Sequence, residues 1–276
     1  MAQFETEYTP AQQERKRWPL ATVMWLDLLV IIVAVLVLAG SVQAAFLMIR
    51  ATQQGMDLAQ LTNNQSELLR LVGADGLLVS TLVQNLICIL VPVLRVRLIR
   101  REPLAEIGLQ ANRPMNLVLT GIGLGVLVLI GNVVLGLLLN ALGIRQNQSD
   151  QYPLFRGDYA GQALFFITAA VLAPVGEEVL FRGYVFNALR QSYATRPWGL
   201  ALAFGLSALL FSLAHSLAAT RDVIGLLIPT FVMGLLLAWG TYRTGSVIPA
   251  IIAHAMNNGL AVMGLIACIN GTIDCS

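Results

Sequence analysis

Apolar runs near or above about 18 residues recur along this chain, and a run of that length can cross a bilayer as a helix. Seven segments stand out, at about 22–49, 76–94, 116–140, 160–181, 198–215, 223–242 and 247–268. In lipid only helices and closed barrels satisfy every backbone polar group. No segment alternates at period two, so a barrel is set aside. The fold class is therefore all-α: a polytopic transmembrane helical bundle. Composition agrees, since 12% of the 276 residues are charged against roughly 25% in an ordinary soluble domain. The first twenty residues are polar and lack the apolar core and cleavage site of a signal peptide. The polar stretch 50–75 reads as the longest loop, partly helical.

Lysine and arginine placement sets orientation. With the N-terminus inside, one side receives Arg15, Lys16, Arg17, Arg95, Arg97, Arg100, Arg101, Arg113, Arg182, Arg190, Arg196 and Arg243. The other receives Arg50, Arg70, Arg145, Arg156 and Arg221. Twelve against five predicts a cytoplasmic N-terminus. A split of segment 160–190 at Pro174 would invert everything after it. The net charge of +2 gives no reason to expect a nucleic-acid partner. The cysteines, at 88, 268 and 275, form no metal framework. Cys268 and Cys275 could pair outside the cell, but they are read here as inert.

An ionisable side chain at membrane depth costs about 2.5–3.5 kcal/mol on insertion scales, so it needs a partner or a purpose. Six are candidates: Asp27, Glu177, Glu178, Arg182, His215 and His254. Asp27 lies close to the interface and is read as structural. Glu177, Glu178 and Arg182 fall in the stretch APVGEEVLFRGY, Ala173–Tyr184. Glu178 and Arg182 are four apart and share a helical face, where they can neutralise each other. Glu177 is turned about 100° from Glu178 and is left over. Pro174 and Gly176 are expected to break or kink the helix there. His215 closes FSLAH and His254 opens HAMNN. His254 and Asn258, four apart, share a face. Straight-helix counting puts Glu177, His215 and His254 about 20, 25 and 14 Å from the inner boundary, which agrees only loosely with a shared site. Gly121 and Gly125, in GIGLG, form a small-residue packing face. Ser207 in GLSA lacks the second glycine of a Gly-x-Ser-Gly nucleophile and reads as a packing residue.

A spare glutamate, two histidines and an amide suit hydrolysis by activated water. The glutamate takes a proton from water, and a histidine and an asparagine donate to the oxyanion that forms. Two histidines and one carboxylate also suit a divalent metal such as zinc. Spacing does not choose between the two. No His-Glu-x-x-His helix and no pair of intramembrane aspartates is present.

Taken together, EEVLFR resembles the Glu-Glu-x-x-x-Arg motif of the CAAX protease and bacteriocin-processing family, also called CPBP or Abi. FSLAH is similar to its Phe-x-x-x-His motif and HAMNN to its His-x-x-x-Asn motif. All three stand in the family's order within residues 160–262, with YRTGSVIPAIIAHA leading into the third. The resemblance implies an all-helical intramembrane endopeptidase with typically around eight spans. It implies Glu177 as the water-activating base, His215 assisting, His254 and Asn258 at the oxyanion, and Glu178 with Arg182 holding the fold. It also leaves metal against glutamate dependence open.

The expected organisation is three N-terminal helices over 1–150, with a cytoplasmic tail, and a catalytic core over 151–276, in one membrane domain. The expected setting is a bacterial plasma membrane. The expected partners are the lipid bilayer and a membrane-associated peptide or protein substrate. The alternative is a non-catalytic member of the family, serving as a scaffold, an immunity factor or a subunit among other membrane subunits. A proton or cation transporter is a weaker rival, because no inverted repeat is visible.

Overall fold

The computed structural model describes residues 20–56, 65–144, 146, 151–216 and 222–273. Among them are seven helices long and apolar enough to cross a membrane, and no strand. We label them α1 (Leu20–Gln53), α2 (Gln65–Arg100), α3 (Pro114–Ala141), α4 (Tyr159–Ser192), α5 (Gly199–Ser216), α6 (Val223–Thr244) and α7 (Ile248–Ile269). Large apolar side chains such as Leu26, Leu29, Leu36, Ile130 and Leu137 face outward, as a bilayer requires.

The expected loop over 50–75 is largely helical. α1 continues to Gln53 and α2 begins at Gln65; residues 57–64 lie outside the described residues. α2 kinks at Gly73, whose φ of 67° and ψ of 172° suit glycine alone. The kink leaves the carbonyls of Leu71 and Val72 to accept from Arg50 Nη1, each at 2.9 Å. Arg50 also pairs with Asp75.

Pro174 does not split α4. The helix runs unbroken, with π-helical stretches at Ile167–Leu172 and Val179–Phe186 on either side of Ala173–Glu178. Pro174 follows directly on the first π-helical stretch, where the widened turn accommodates its missing N–H. The π turns absorb the mismatch, and such turns are frequent at functional sites.

α4 is the central helix: half of its most apolar window is buried, against 22–39% for the other six. Tyr184, Phe186 and Leu189 of α4 pack with Met24, Val128, Phe211, Leu237 and Ala250, so residues from every helix enter one core. Asp27 is buried and structural, as expected: Arg95 Nε donates to it at 2.8 Å and the Tyr184 hydroxyl donates as well. That cluster ties α1, α2 and α4 at the arginine-rich end. Cys88 is a free buried thiol. Cys268, by contrast, is disulfide-bonded rather than inert; Cys275 lies outside the described residues.

Small residues set the close helix contacts. A Cβ on Gly121 would lie 2.8 Å from Ile252 Cβ, and one on Gly125 2.7 Å from Met256 Sδ. The GIGLG face therefore seats α3 on α7. A Cβ on Gly234 would lie 3.0 Å from Ala208 Cα, so α5 and α6 touch through backbone. Ser207 is fully buried and donates to Phe181 O at 3.0 Å, consistent with a packing role. Without a hydrophobic drive between helices in lipid, such contacts decide association. We predict that Gly234→Val destabilises the protein by about 1–3 kcal/mol, the usual range for overpacking, while Gly123→Val, at an open position, leaves the thermal midpoint nearly unchanged.

Candidate active site

The charged residues of α4 meet α5 and α7 at mid-bundle. Glu178 and Arg182 are both fully buried, and Arg182 Nη1 donates to Glu178 Oε1 at 2.9 Å. The same oxygen accepts from His254 Nδ1 at 2.8 Å. The Arg182 guanidinium also lies over the Phe211 ring, 3.9 Å from its centroid. Phe211 in turn meets both His215 and His254 edge to face. The phenylalanine of FSLAH is thus a wall shared by the arginine and the two histidines.

Glu177 faces His215 and the other ring nitrogen of His254. His215 Nε2 lies 3.7 Å and His254 Nε2 3.8 Å from Glu177 Oε2. One ligating atom from each of the three residues lies within 4.8 Å of the others. The three residues thus converge despite the depth gap left by straight-helix counting. The nitrogen assignments follow from the partners. His215 Nδ1 lies 2.9 Å from Phe211 O, which can only accept, so Nδ1 carries the proton. Glu178, when ionised, places the His254 proton on Nδ1 in the same way. Each histidine then turns its Nε2 towards Glu177.

These separations are too long for direct hydrogen bonds. Three donors on one zinc ion at about 2.1 Å would sit about 3.4 Å apart, and three on one water at about 2.8 Å would sit about 4.6 Å apart. The observed distances fall between. Glu177 Oε2 and His254 Nε2 are buried and have no hydrogen-bond partner, so the point they share suits a water or a cation. The donor set, two imidazoles and a carboxylate, fits a divalent metal. Glu177 and His215 keep 15% and 27% of their side chains exposed while Glu178 and His254 keep none, so the site opens on the His215 side.

Asn258 lies one turn beyond His254. Its Nδ2 donates to Ala169 O at 3.0 Å and its Oδ1 accepts from Asn257 at 3.3 Å. One of its two amide protons is therefore engaged with α4.

Sequence reasoning missed Asn85 of α2. Its Nδ2 donates to Leu172 O at 2.6 Å, and its buried Oδ1 has no partner. Gly176 makes room for it: a Cβ there would lie 2.2 Å from Asn85 Oδ1. Gly176 therefore admits a neighbouring helix rather than breaking its own. Two adjacent amides, Gln84 and Asn85, amid the apolar residues of VQNLICIL were the available signal.

We predict that Glu178→Gln lowers folded yield, because Arg182 is left buried and unpaired at a cost of about 3–5 kcal/mol. Glu177→Gln should leave yield nearly normal. Size-exclusion recovery in detergent and thermal midpoints check both, and exchanged phenotypes would reverse the two assignments.

Residues 159–260 match the family described as "Type II CAAX prenyl endopeptidase Rce1-like". A protein of Escherichia coli described as "Uncharacterized 24.3 kDa protein" is 33% identical over 91 residues, which are 33% of this chain and 39% of that protein. The chain thus spans about two fifths of that relative's length. No solved structure matches. The matched stretch contains α4, α5, α6 and the first half of α7, hence Glu177, Glu178, Arg182, His215, His254 and Asn258, and over that stretch the chain is Rce1-like in sequence.

Proposed function

We propose that the protein is an intramembrane endopeptidase that hydrolyses a peptide bond of a membrane-associated protein or peptide. The observation that carries this reading is the pair of buried, unpartnered atoms, Glu177 Oε2 and His254 Nε2, that share one point with His215. Burying such atoms without a protein partner costs about 1–3 kcal/mol each unless a water or ligand completes them. A purely structural helix contact gives no return for that.

In this reading Glu177 Oε2 takes a proton from water, with His215 Nε2 orienting it. The hydroxide adds to the carbonyl carbon and charge moves to the carbonyl oxygen. Asn258 offers its remaining amide proton to that oxygen. His254 Nε2 borders the same space, 3.8 Å from Glu177 Oε2, and donates to the oxyanion when it carries a proton. The proton on Glu177 then passes to the amine nitrogen as the C–N bond breaks. Where a divalent cation such as zinc is bound, Glu177, His215 and His254 would hold it, and it would supply Lewis-acid polarisation of the carbonyl.

The twelve-to-five arginine and lysine bias supports a cytoplasmic N-terminus, with the arginine-rich end of the bundle inside a bacterial plasma membrane.

Protein purified into liposomes should cleave peptides from a membrane-anchored library. Glu177→Ala, His215→Ala and His254→Ala should each bring cleavage to background, and their losses should be far from additive, as for residues acting as a unit. Loss of cleavage on chelation and recovery with zinc would assign the metal form. No cleavage by the wild type, together with full rescue of a deletion strain by the triple variant, would replace the protease with a scaffold.

A further inference from the structure

A second polar cavity lies at the arginine-rich end, away from Glu177. It holds about 190 Å³, between the turn Leu104–Ile107, the last turns of α4 and the end of α6. One water needs roughly 10–15 Å³ on such a measure, so the space fits a small ligand. Thr241 lines it, is only 2% exposed, and its hydroxyl has no partner. By contrast, Thr52, Thr168, Thr230 and Thr244 each donate to the carbonyl four residues earlier, and Thr244 does so one turn from Thr241.

Two charged groups complete the cavity. Arg190 Nε donates to Asn187 Oδ1 at 3.2 Å. Asn187 is itself held by the carbonyls of Arg182 and Gly183, at 3.1 and 2.9 Å. The guanidinium is therefore aimed, while its two terminal nitrogens make no hydrogen bond or ion pair among the described residues. Glu106 also lines the cavity. It accepts from Gln191 Nε2 at 3.1 Å and pairs with no cation among the described residues. A fixed cation, a buried hydroxyl donor and a carboxylate thus face one space without pairing with each other. A ligand that complements all three carries an anion and an ammonium together. The rim includes Tyr242, 42% exposed, and the nearby Trp198, 51% exposed, stacks on Tyr193. Exposed tyrosine and tryptophan at the end of a bundle mark headgroup depth.

We propose that this cavity binds the zwitterionic headgroup of a phospholipid, a phosphodiester linked to a primary ammonium. The phosphate takes two hydrogen bonds from the Arg190 fork and one from Thr241. The ammonium reaches Glu106. A choline headgroup lacks the N–H donors that Glu106 needs, so the site discriminates phosphatidylethanolamine from phosphatidylcholine.

The test uses delipidated full-length protein, titrated with mixed micelles of each lipid and read by native mass spectrometry as retained lipid. The wild type should retain phosphatidylethanolamine at least about tenfold better than phosphatidylcholine, the scale of one charge-assisted contact. Arg190→Gln and Thr241→Val should each weaken retention of both lipids. Glu106→Gln, at an exposed position that leaves folding intact, should abolish the preference while keeping the phosphate contact. Equal retention of the two lipids by the wild type, or unchanged retention in both Arg190→Gln and Glu106→Gln, overturns the proposal. Displacement by soluble phosphoethanolamine as effective as by the lipid reassigns the cavity to a soluble phosphate. Displacement by a peptide with a free carboxy terminus, with neither lipid retained, reassigns it to a peptide end. Either result rejects the lipid site.

Discussion

Glu178 Oε1 accepts from Arg182 and from His254 in a place that water does not reach. A buried carboxylate without partners is costly, and here two donors, one of them a guanidinium, satisfy the same oxygen. The pair is weak evidence for net stability, since desolvation offsets much of the attraction. Its stronger consequence is register. α4 is pinned to α7 through His254, and Arg182 is laid on Phe211 of α5. With three helices fixed to one oxygen and one ring, Glu177 has a single direction left, and His215 and His254 meet it there.

The bundle reaches that arrangement by letting backbones approach. Gly176 admits Asn85, Gly121 admits Ile252 and Gly234 admits Ala208. Each contact sits on a helix that carries or neighbours a residue of the cluster. Packing in lipid is set by van der Waals contact and interhelical hydrogen bonds. Asn132 adds one such bond, donating to Asn257 of α7 at 2.6 Å. Within the continuous α4, Glu178 accepts from Nδ1 of His254 while Glu177 faces Nε2 of the same ring.

The seven spans were legible because a 20-residue apolar run has few alternatives in lipid. Their ends were not. α1, α2 and α4 continue past the apolar runs, since a helix outside the bilayer core tolerates residues such as those of QSELLR. The Glu178–Arg182 pair was legible from a spacing of four. The bond from His254 to Glu178 was not, because 76 residues separate them and no local rule links them. Depth counting misjudged how well Glu177, His215 and His254 agree, because it assumes straight, upright helices. Asn85 escaped notice because its partner is a backbone carbonyl, which leaves no trace in side-chain spacing. The bond from Asn258 to Ala169 O was likewise not legible, because its partner is a backbone carbonyl 89 residues away.

Glu177 and Glu178 are adjacent in the chain yet stand on opposite sides of a division of labour. The one hydrogen-bonded in the buried cluster, Glu178, cannot be lost without stranding Arg182 and loosening His254. The one facing the open side, Glu177, makes no hydrogen bond among the described residues. Descent from such a protein is therefore directional. Copies released from selection for chemistry should drift first at Glu177 and His215 and keep Glu178, Arg182 and Phe211 long afterwards. A half-erased motif of that kind would mark an inherited framework put to another use.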